Sequence, residues 1–217
     1  MKEMNLPAVT AIVVAAGASR RMGFDKLSFR LPDGRSVLQT SCDALAAHPA
    51  VTGLVLVCGG NRTECEAIAA RCTKPCTVVQ GGATRADSVR NGLAAATGEL
   101  VAIHDAARPF VSEQVITDAL AEAEAMGAAA PAVAVKDTIK IANDGAVVQT
   151  PDRAALFAVQ TPQCFCRNLY WKALEAVQGE KVHLVTDDCS LFELAGLPVH
   201  LTQGDYANYK ITTREDL

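Results

Sequence analysis

Three cations, Arg20, Arg21 and Lys26, fall within seven residues of one another near the start of the chain. They follow an apolar run, Ile12, Val13 and Val14, that ends in the small residues Ala15, Ala16 and Gly17. A buried strand opening into small residues lets backbone N–H groups approach a ligand closely, because no bulky side chain intervenes. Cations packed this densely beside such a loop point to an anionic ligand, above all a polyphosphate. A solvated basic loop after an ordinary strand is the alternative. The dinucleotide pattern G-x-G-x-x-G is missing, since Ser19 stands where its second glycine would be, and the P-loop pattern is missing as well.

Two further stretches carry residue types suited to chemistry. Gly81 and Gly82 open a helix that begins near Arg85, and helix N-termini favour anions or oriented polar groups. Ser88, one turn into that helix, can hydrogen-bond a base edge or simply be a helix-surface hydroxyl. Asp105 ends an apolar strand and suits Mg²⁺, a hard cation usually held by one or two carboxylates plus substrate phosphates. Its plainer roles are a cap on the next turn and, for Arg108, an ion pair with it. His104 reads as a packed strand-end histidine rather than a catalyst.

The elements that must position these residues alternate between helix and strand, the pattern of a mostly parallel sheet covered by helices. Strands are expected at 12–14, Leu54 to Val57, Thr77 to Val79, Leu100 to Ile103, Ala129 to Val135 and Val199 to Leu201. Helices are expected over Val37 to Ala47, from a Thr63–Glu66 capping box to about Arg71, and over Arg85 to Ala96. Another runs from a Ser112 cap to a Gly127 stop, with Ile116, Leu120 and Ala123 on one face. The last two are expected from about Arg167 to Val177 and after Thr186-Asp187-Asp188, and Tyr209-Lys210-Ile211 closes the domain. Such sheets bind ligands beyond the carboxyl ends of their strands, which is where all three chemical stretches fall.

Between 136 and 153 the period changes to two. Asp137, Ile139 and Ile141 alternate against Lys136, Thr138 and Lys140, and Asn143-Asp144-Gly145 supplies a hairpin turn. A lone hairpin is marginal unless its apolar side finds a partner, so this arm is expected to pack on a second copy of the chain in a C2 dimer.

Bulk composition narrows the classes. With 217 residues, half of them hydrophobic, the chain supports one sizeable core, here taken as a single domain over 1–217. A net charge of −4 and a pI near 5.6 argue against a nucleic-acid partner. No apolar run approaches the ~18 residues of a membrane span, and Glu3 and Pro7 interrupt an N-terminal stretch that superficially resembles a secretory signal. The eight cysteines are scattered with no C-x-x-C pair, as expected of reduced thiols in a cytoplasmic protein.

Several segments together resemble the 2-C-methyl-D-erythritol 4-phosphate cytidylyltransferase family: AAGASRRM with Lys26, GGATRADSV, VAIHDAARP, VKDTIK, the PDR at 151–153, TPQCF at 161–165 and ANYKITTREDL. The similarity runs from Ala11 to Leu217. It implies a Rossmann-like nucleotidyltransferase fold, α/β, with a protruding β-hairpin arm that makes a homodimer. It implies joining CTP to a polyol phosphate of non-mevalonate isoprenoid synthesis, with release of diphosphate and help from Mg²⁺ at Asp105. By the same resemblance Ala15, Ala16 and Gly17 wrap the nucleotide, and Arg21 and Lys26 take its triphosphate, with Arg20 assisting. Gly81, Gly82 and Ser88 read base and ribose, and Asp105 and Ala106 close the nucleotide site. Arg108, Thr138, Arg153, Thr161 and Lys210 hold the methylerythritol phosphate, partly from the neighbouring arm. The chain departs from the family pattern at Val14 and Ala83, and its short RMGFDK segment is similar to molybdopterin cytidylyltransferases.

The implied nucleophile is a phosphate oxygen already ionised at neutral pH, its second pKa being about 6, so no general base is required. Alternative readings are a ribitol 5-phosphate cytidylyltransferase, a nucleotide-binding regulatory module without catalysis and, weakest, a nicotinamide oxidoreductase.

Overall fold

The computed structural model describes residues 6–17 and 25–217. Ten strands are present among them: β1 (Val9–Ala15), β2 (Val51–Cys58), β3 (Cys76–Gln80), β4 (Leu100–Asp105), β5 (Ala128–Ala134), β6 (Ile141–Asn143), β7 (Ala146–Gln149), β8 (Phe157–Val159), β9 (Gln163–Cys166) and β10 (His200–Gln203). The helices are α1 (Val37–Ala47), α2 (Arg62–Ala69), α3 (Arg85–Ala95), α4 (Glu113–Met126), α5 (Arg167–Ala176) and α6 (Asp188–Leu194).

The main sheet runs β10-β5-β9-β4-β1-β2-β3, with β8 paired to β5. Strands β4, β1, β2 and β3 are parallel to one another, and β10 is parallel to β5. β9 lies antiparallel between β4 and β5. This wedge was not expected from the sequence, although the sheet is still mostly parallel.

β1 explains itself. Its odd residues Val9, Ala11, Val13 and Ala15 pack into one core layer with α1, α2 and α4, while Ile12 packs into the opposite layer with α3, α5 and α6. A central strand covered on both faces must be apolar at every position, which is why it reads as a run and not an alternation. In the second layer Phe165 of β9 is fully buried, stacked 4.5 Å from Phe192 and edge-on to Tyr170 at 5.3 Å. Truncating it to alanine would cost on the order of 3–5 kcal/mol. Gly92, in the middle of α3, sits where an added Cβ would lie 2.6 Å from Ile12 Cγ2 and 2.9 Å from Val57 Cγ2, so the helix beds directly on β1 and β2.

Helix signals in the sequence are mostly obeyed. α1 starts at the Ser36 cap and ends at His48, and α4 runs from the Ser112 cap to Gly127, whose φ is 92°. α2 differs: Asn61, not Thr63, is its N-cap, because the Gly59-Gly60 turn after β2 brings the chain into helix two residues sooner. The arm also differs. Its first strand is only Ile141–Asn143, so the period-two stretch from Lys136 to Lys140 is not paired, while Asp144 (φ 48°) and Gly145 (φ 81°) do make the turn. Both strands are exposed throughout. Residues 209–211 form no strand; the Ile211 N–H donates to the Ala107 carbonyl at 2.9 Å and its side chain is buried.

Candidate active site

At the carboxyl ends of β1 and β4 a cleft of about 510 Å³ opens against the N-terminus of α3. Ala16, Gly17, Lys26, Gly82, Ser88, Asp105, Ala106 and Lys210 all line it. Residues 18–24 lie outside the described residues, and with them Arg20 and Arg21.

The floor is shaped by close backbone approach. A Cβ on Gly81 would stand 2.5 Å from the Ala16 Cβ and 2.9 Å from Ser88 Oγ, so the loops after β1 and β3 touch only because glycine is there. Ser88 is buried. Its hydroxyl accepts from the Gly82 N–H at 3.1 Å and donates to the Thr84 carbonyl at 2.9 Å, which fixes the loop from behind. Thr84 caps α3 in a reciprocal box with Asp87.

Charge gathers on the opposite wall. Lys210 Nζ is 2.6 Å from Asp105 Oδ2, and Arg85 Nη2 is 3.6 Å from Asp105 Oδ1 and 2.7 Å from Asp188 Oδ2. Burial would raise the Asp105 pKa, but these two cations outweigh it and bring it to about 2, so the carboxylate is ionised at neutral pH. Burial likewise opposes the Arg85 charge, yet Asp188 and Asp105 together hold its pKa above the ordinary value. Asp188 in turn accepts from the Tyr170 hydroxyl at 2.6 Å. Lys26 Nζ donates to the Ile211 carbonyl at 2.7 Å, which ties this lysine to the C-terminal segment carrying Lys210.

Other expected residues stand elsewhere. Ala15 is buried in β1 beneath the cleft. Arg108 is half-buried and donates to the Asn208 carbonyl at 2.6 Å, whereas the ion pairs of Asp105 go to Lys210 and Arg85; the Asp105–Arg108 pair considered from sequence is not the arrangement adopted. Burial lowers the Arg108 pKa. Thr161 is 4% exposed and lies behind Asp105, outside the cleft lining. Thr138 and Arg153 are exposed on the arm, where Arg153 Nη1 donates to the Lys136 carbonyl at 3.0 Å. His104 is fully buried and burial lowers its pKa to about 4, as suits a packed neutral ring.

Sequence reasoning missed Arg85, Thr84 and Leu27, which also line the cleft. The Thr84–Asp87 spacing was a usable signal, since a capping box there places position 85 at the first helical residue, facing the loop. No group of three or more His, Cys, Asp or Glu side chains suited to a metal occurs among the described residues, and no described helix is long and apolar enough to cross a membrane.

A mostly parallel α/β sheet with small-residue loops, paired cations and one ionised carboxylate at its carboxyl edge defines a nucleotidyltransferase. The family model for IspD, 2-C-methyl-D-erythritol 4-phosphate cytidylyltransferase, matches residues 9–217, and the chain belongs to that family. It is 45% identical over 218 residues to the 2-C-methyl-D-erythritol 4-phosphate cytidylyltransferase of Desulforamulus reducens, covering 96% of this chain and 92% of the relative. The enzyme of the same name from Geobacillus kaustophilus is 44% identical, with 95% and 92% covered. The crystal structure of 4-diphosphocytidyl-2C-methyl-D-erythritol synthase from Anaerococcus prevotii superposes with a TM-score of 0.83 at 31% identity, over 97% of this chain and 94% of that one.

Proposed function

We infer that the cleft transfers the cytidylyl group of CTP to 2-C-methyl-D-erythritol 4-phosphate, forming 4-diphosphocytidyl-2-C-methyl-D-erythritol and diphosphate for non-mevalonate isoprenoid synthesis. The observation that carries this reading is the meeting of Lys26 and Lys210, from opposite ends of the chain, in one cleft with Asp105. An acceptor phosphate oxygen attacks the α-phosphorus of CTP; the new O–P bond forms as the bond to the β-phosphate's bridging oxygen breaks. The attacking oxygen of the acceptor phosphate is already ionised at neutral pH, so the work of the protein is to bring two polyanions together and to stabilise charge on the departing diphosphate.

Lys26, with Arg20 and Arg21, takes the triphosphate. Ala16, Gly17, Gly82 and Ala106 offer backbone at close range, Gly81 and Ser88 hold the base-side loop in shape, and Ala15 anchors the first loop to the sheet. Lys210 and Arg108 receive the acceptor phosphate from this chain, and Thr138 and Arg153 reach it from the arm of a second copy, in a C2 homodimer. The exposed Val147 and Val148 of the arm support that assembly. The free cysteines support a cytoplasmic setting.

A divalent cation suits this donor set. Asp105 is ionised and the remaining ligands of a Mg²⁺ ion would be phosphate oxygens and water, the usual way this ion is held. When bound, it neutralises charge developing on the phosphates. Diphosphate release with methylerythritol phosphate and each of CTP, ATP, GTP and UTP tests the proposal, with ribitol 5-phosphate as a second acceptor. Release with CTP and methylerythritol phosphate well above every other pair is expected; equal or faster release with ribitol 5-phosphate or a purine nucleotide would overturn it.

A further inference from the structure

Four of the eight cysteines gather between α1, α2 and the start of β3. Cys42 on α1 and Cys65 on α2 are buried, whereas Cys72 and Cys76 pack on the same core layer and keep part of their surface in solvent. Cys76 opens β3, so the group lies at the amino end of that strand, and the cleft lies at the carboxyl end of the sheet.

The chain brings Cys72 and Cys76 together for local reasons. Cys72 follows α2 in a tight turn, its N–H donating to the Ala69 carbonyl at 3.2 Å. Lys74 pins the next few residues, its ammonium donating to the His48 and Val51 carbonyls, and the Pro75 carbonyl accepts from the Leu54 N–H at 2.9 Å. The alternation of β3 then turns Cys76 and Val78 towards α1 and α2, and Val79 towards the opposite layer. The Cys76 thiol donates a hydrogen bond to the Cys72 sulfur.

The two sulfurs differ in access. Cys72 walls a cavity of about 290 Å³ together with Cys42, Ile68 and Arg71, and Cys76 is not part of that wall. A partly exposed thiol beside a guanidinium is the usual setting of a reactive cysteine. Burial and the neighbouring Cys72 push the Cys76 thiol up to about 12, so Cys76 is the protonated member of the pair.

We propose that Cys72 and Cys76 are a modification site, a dithiol that a low-molecular-weight disulfide oxidises to an intrachain disulfide. The Cys72 thiolate attacks one sulfur of the reagent, forming a mixed disulfide and expelling one thiolate. The Cys76 sulfur then attacks the Cys72 sulfur, and its proton passes to the second departing thiolate. Two cysteine thiols are oxidised, and one external disulfide is reduced to two thiols. The charge of Cys72 and its hydrogen bond cease to hold the Cys76 proton once Cys72 carries the mixed disulfide, which leaves burial alone opposing the second step. In a reducing compartment the bond is transient, as is usual for such pairs.

The test incubates the folded protein with oxidised glutathione at neutral pH, quenches with N-ethylmaleimide in denaturant and maps tryptic peptides by mass. Residues 72–85 fall in one peptide, because Pro75 blocks cleavage after Lys74. That peptide is expected lighter by two hydrogens, with neither cysteine alkylated. Cys76→Ser should stop with glutathione on Cys72, and Cys72→Ser should leave Cys76 reduced and alkylated. Both cysteines alkylated in the wild type, a mixed disulfide persisting at Cys72, or Cys72 joined to Cys42 would overturn the proposal, even if a serine variant failed to fold. So would an unmodified Cys72 in folded Cys76→Ser protein. No substrate enters the assay, so its result is independent of the cytidylyl-transfer reading.

Discussion

The cleft and the arm are both expected to handle the same phosphates, yet they are built in opposite ways. In the cleft, each described charge already has a partner: Lys210 and Arg85 on Asp105, Arg85 on Asp188, Lys26 on the Ile211 carbonyl. These groups are held by partners within the chain itself, which is the condition for electrostatic stabilisation without reorganisation. The arm has the reverse character. β6 and β7 are exposed on every residue, and Arg153 leans on its own hairpin through the Lys136 carbonyl. A site made from both halves would have one preset wall and one wall that becomes defined only on assembly.

The sharpest way to break this contrast is Lys26→Ala. Loss of a cation acting on developing charge should lower kcat on the order of 10²–10³-fold, with an unchanged circular dichroism spectrum; near-normal turnover would remove the preset wall from the mechanism. Next comes the joint change Val147→Asp with Val148→Asp. Sedimentation at micromolar concentration should then give a monomer of unaltered secondary structure, and a persisting dimer would free the arm from the interface. Arg153→Ala should raise KM for the acceptor about tenfold, the scale of one charge-assisted hydrogen bond, and leave CTP affinity unchanged in a calorimetric titration. The smallest effects separate the two regions by stability. Thr84→Ala removes the α3 cap and should cost about 1 kcal/mol in global denaturant unfolding, because α3 belongs to the core. Gly145→Ala places a side chain at φ 81°, yet its strain should stay within the arm and leave the global transition where it was.

The same contrast governed what could be read in advance. α4 was legible because Ser112 and Gly127 mark its ends by local chemistry and Ile116, Leu120 and Ala123 mark its face. The three loops that meet at the cleft were legible because small residues followed by charges at strand ends are unusual. β9 was not: Gln163–Cys166 is four residues long and runs straight into α5, with no turn signal and a pairing set by strands far away in sequence. Arg85 was read only as the first residue of a helix, and its ion pair with the buried Asp188, far away in sequence, is what holds it at the cleft wall. Thr63 looked like a cap, but the preceding glycines let the helix start at Arg62.

Gly92 shows how far upstream such a site can be tuned. The absence of a single methyl group in the middle of α3 sets how deep that helix sinks onto Ile12 and Val57. Thr84, Arg85 and Ser88 ride on the same rigid rod, so its depth fixes the gap between the loop after β3 and the loop after β1. The width between those two loops is thereby gauged about one helical turn below Ser88 and two below Arg85, by a residue whose whole contribution is to be missing a side chain.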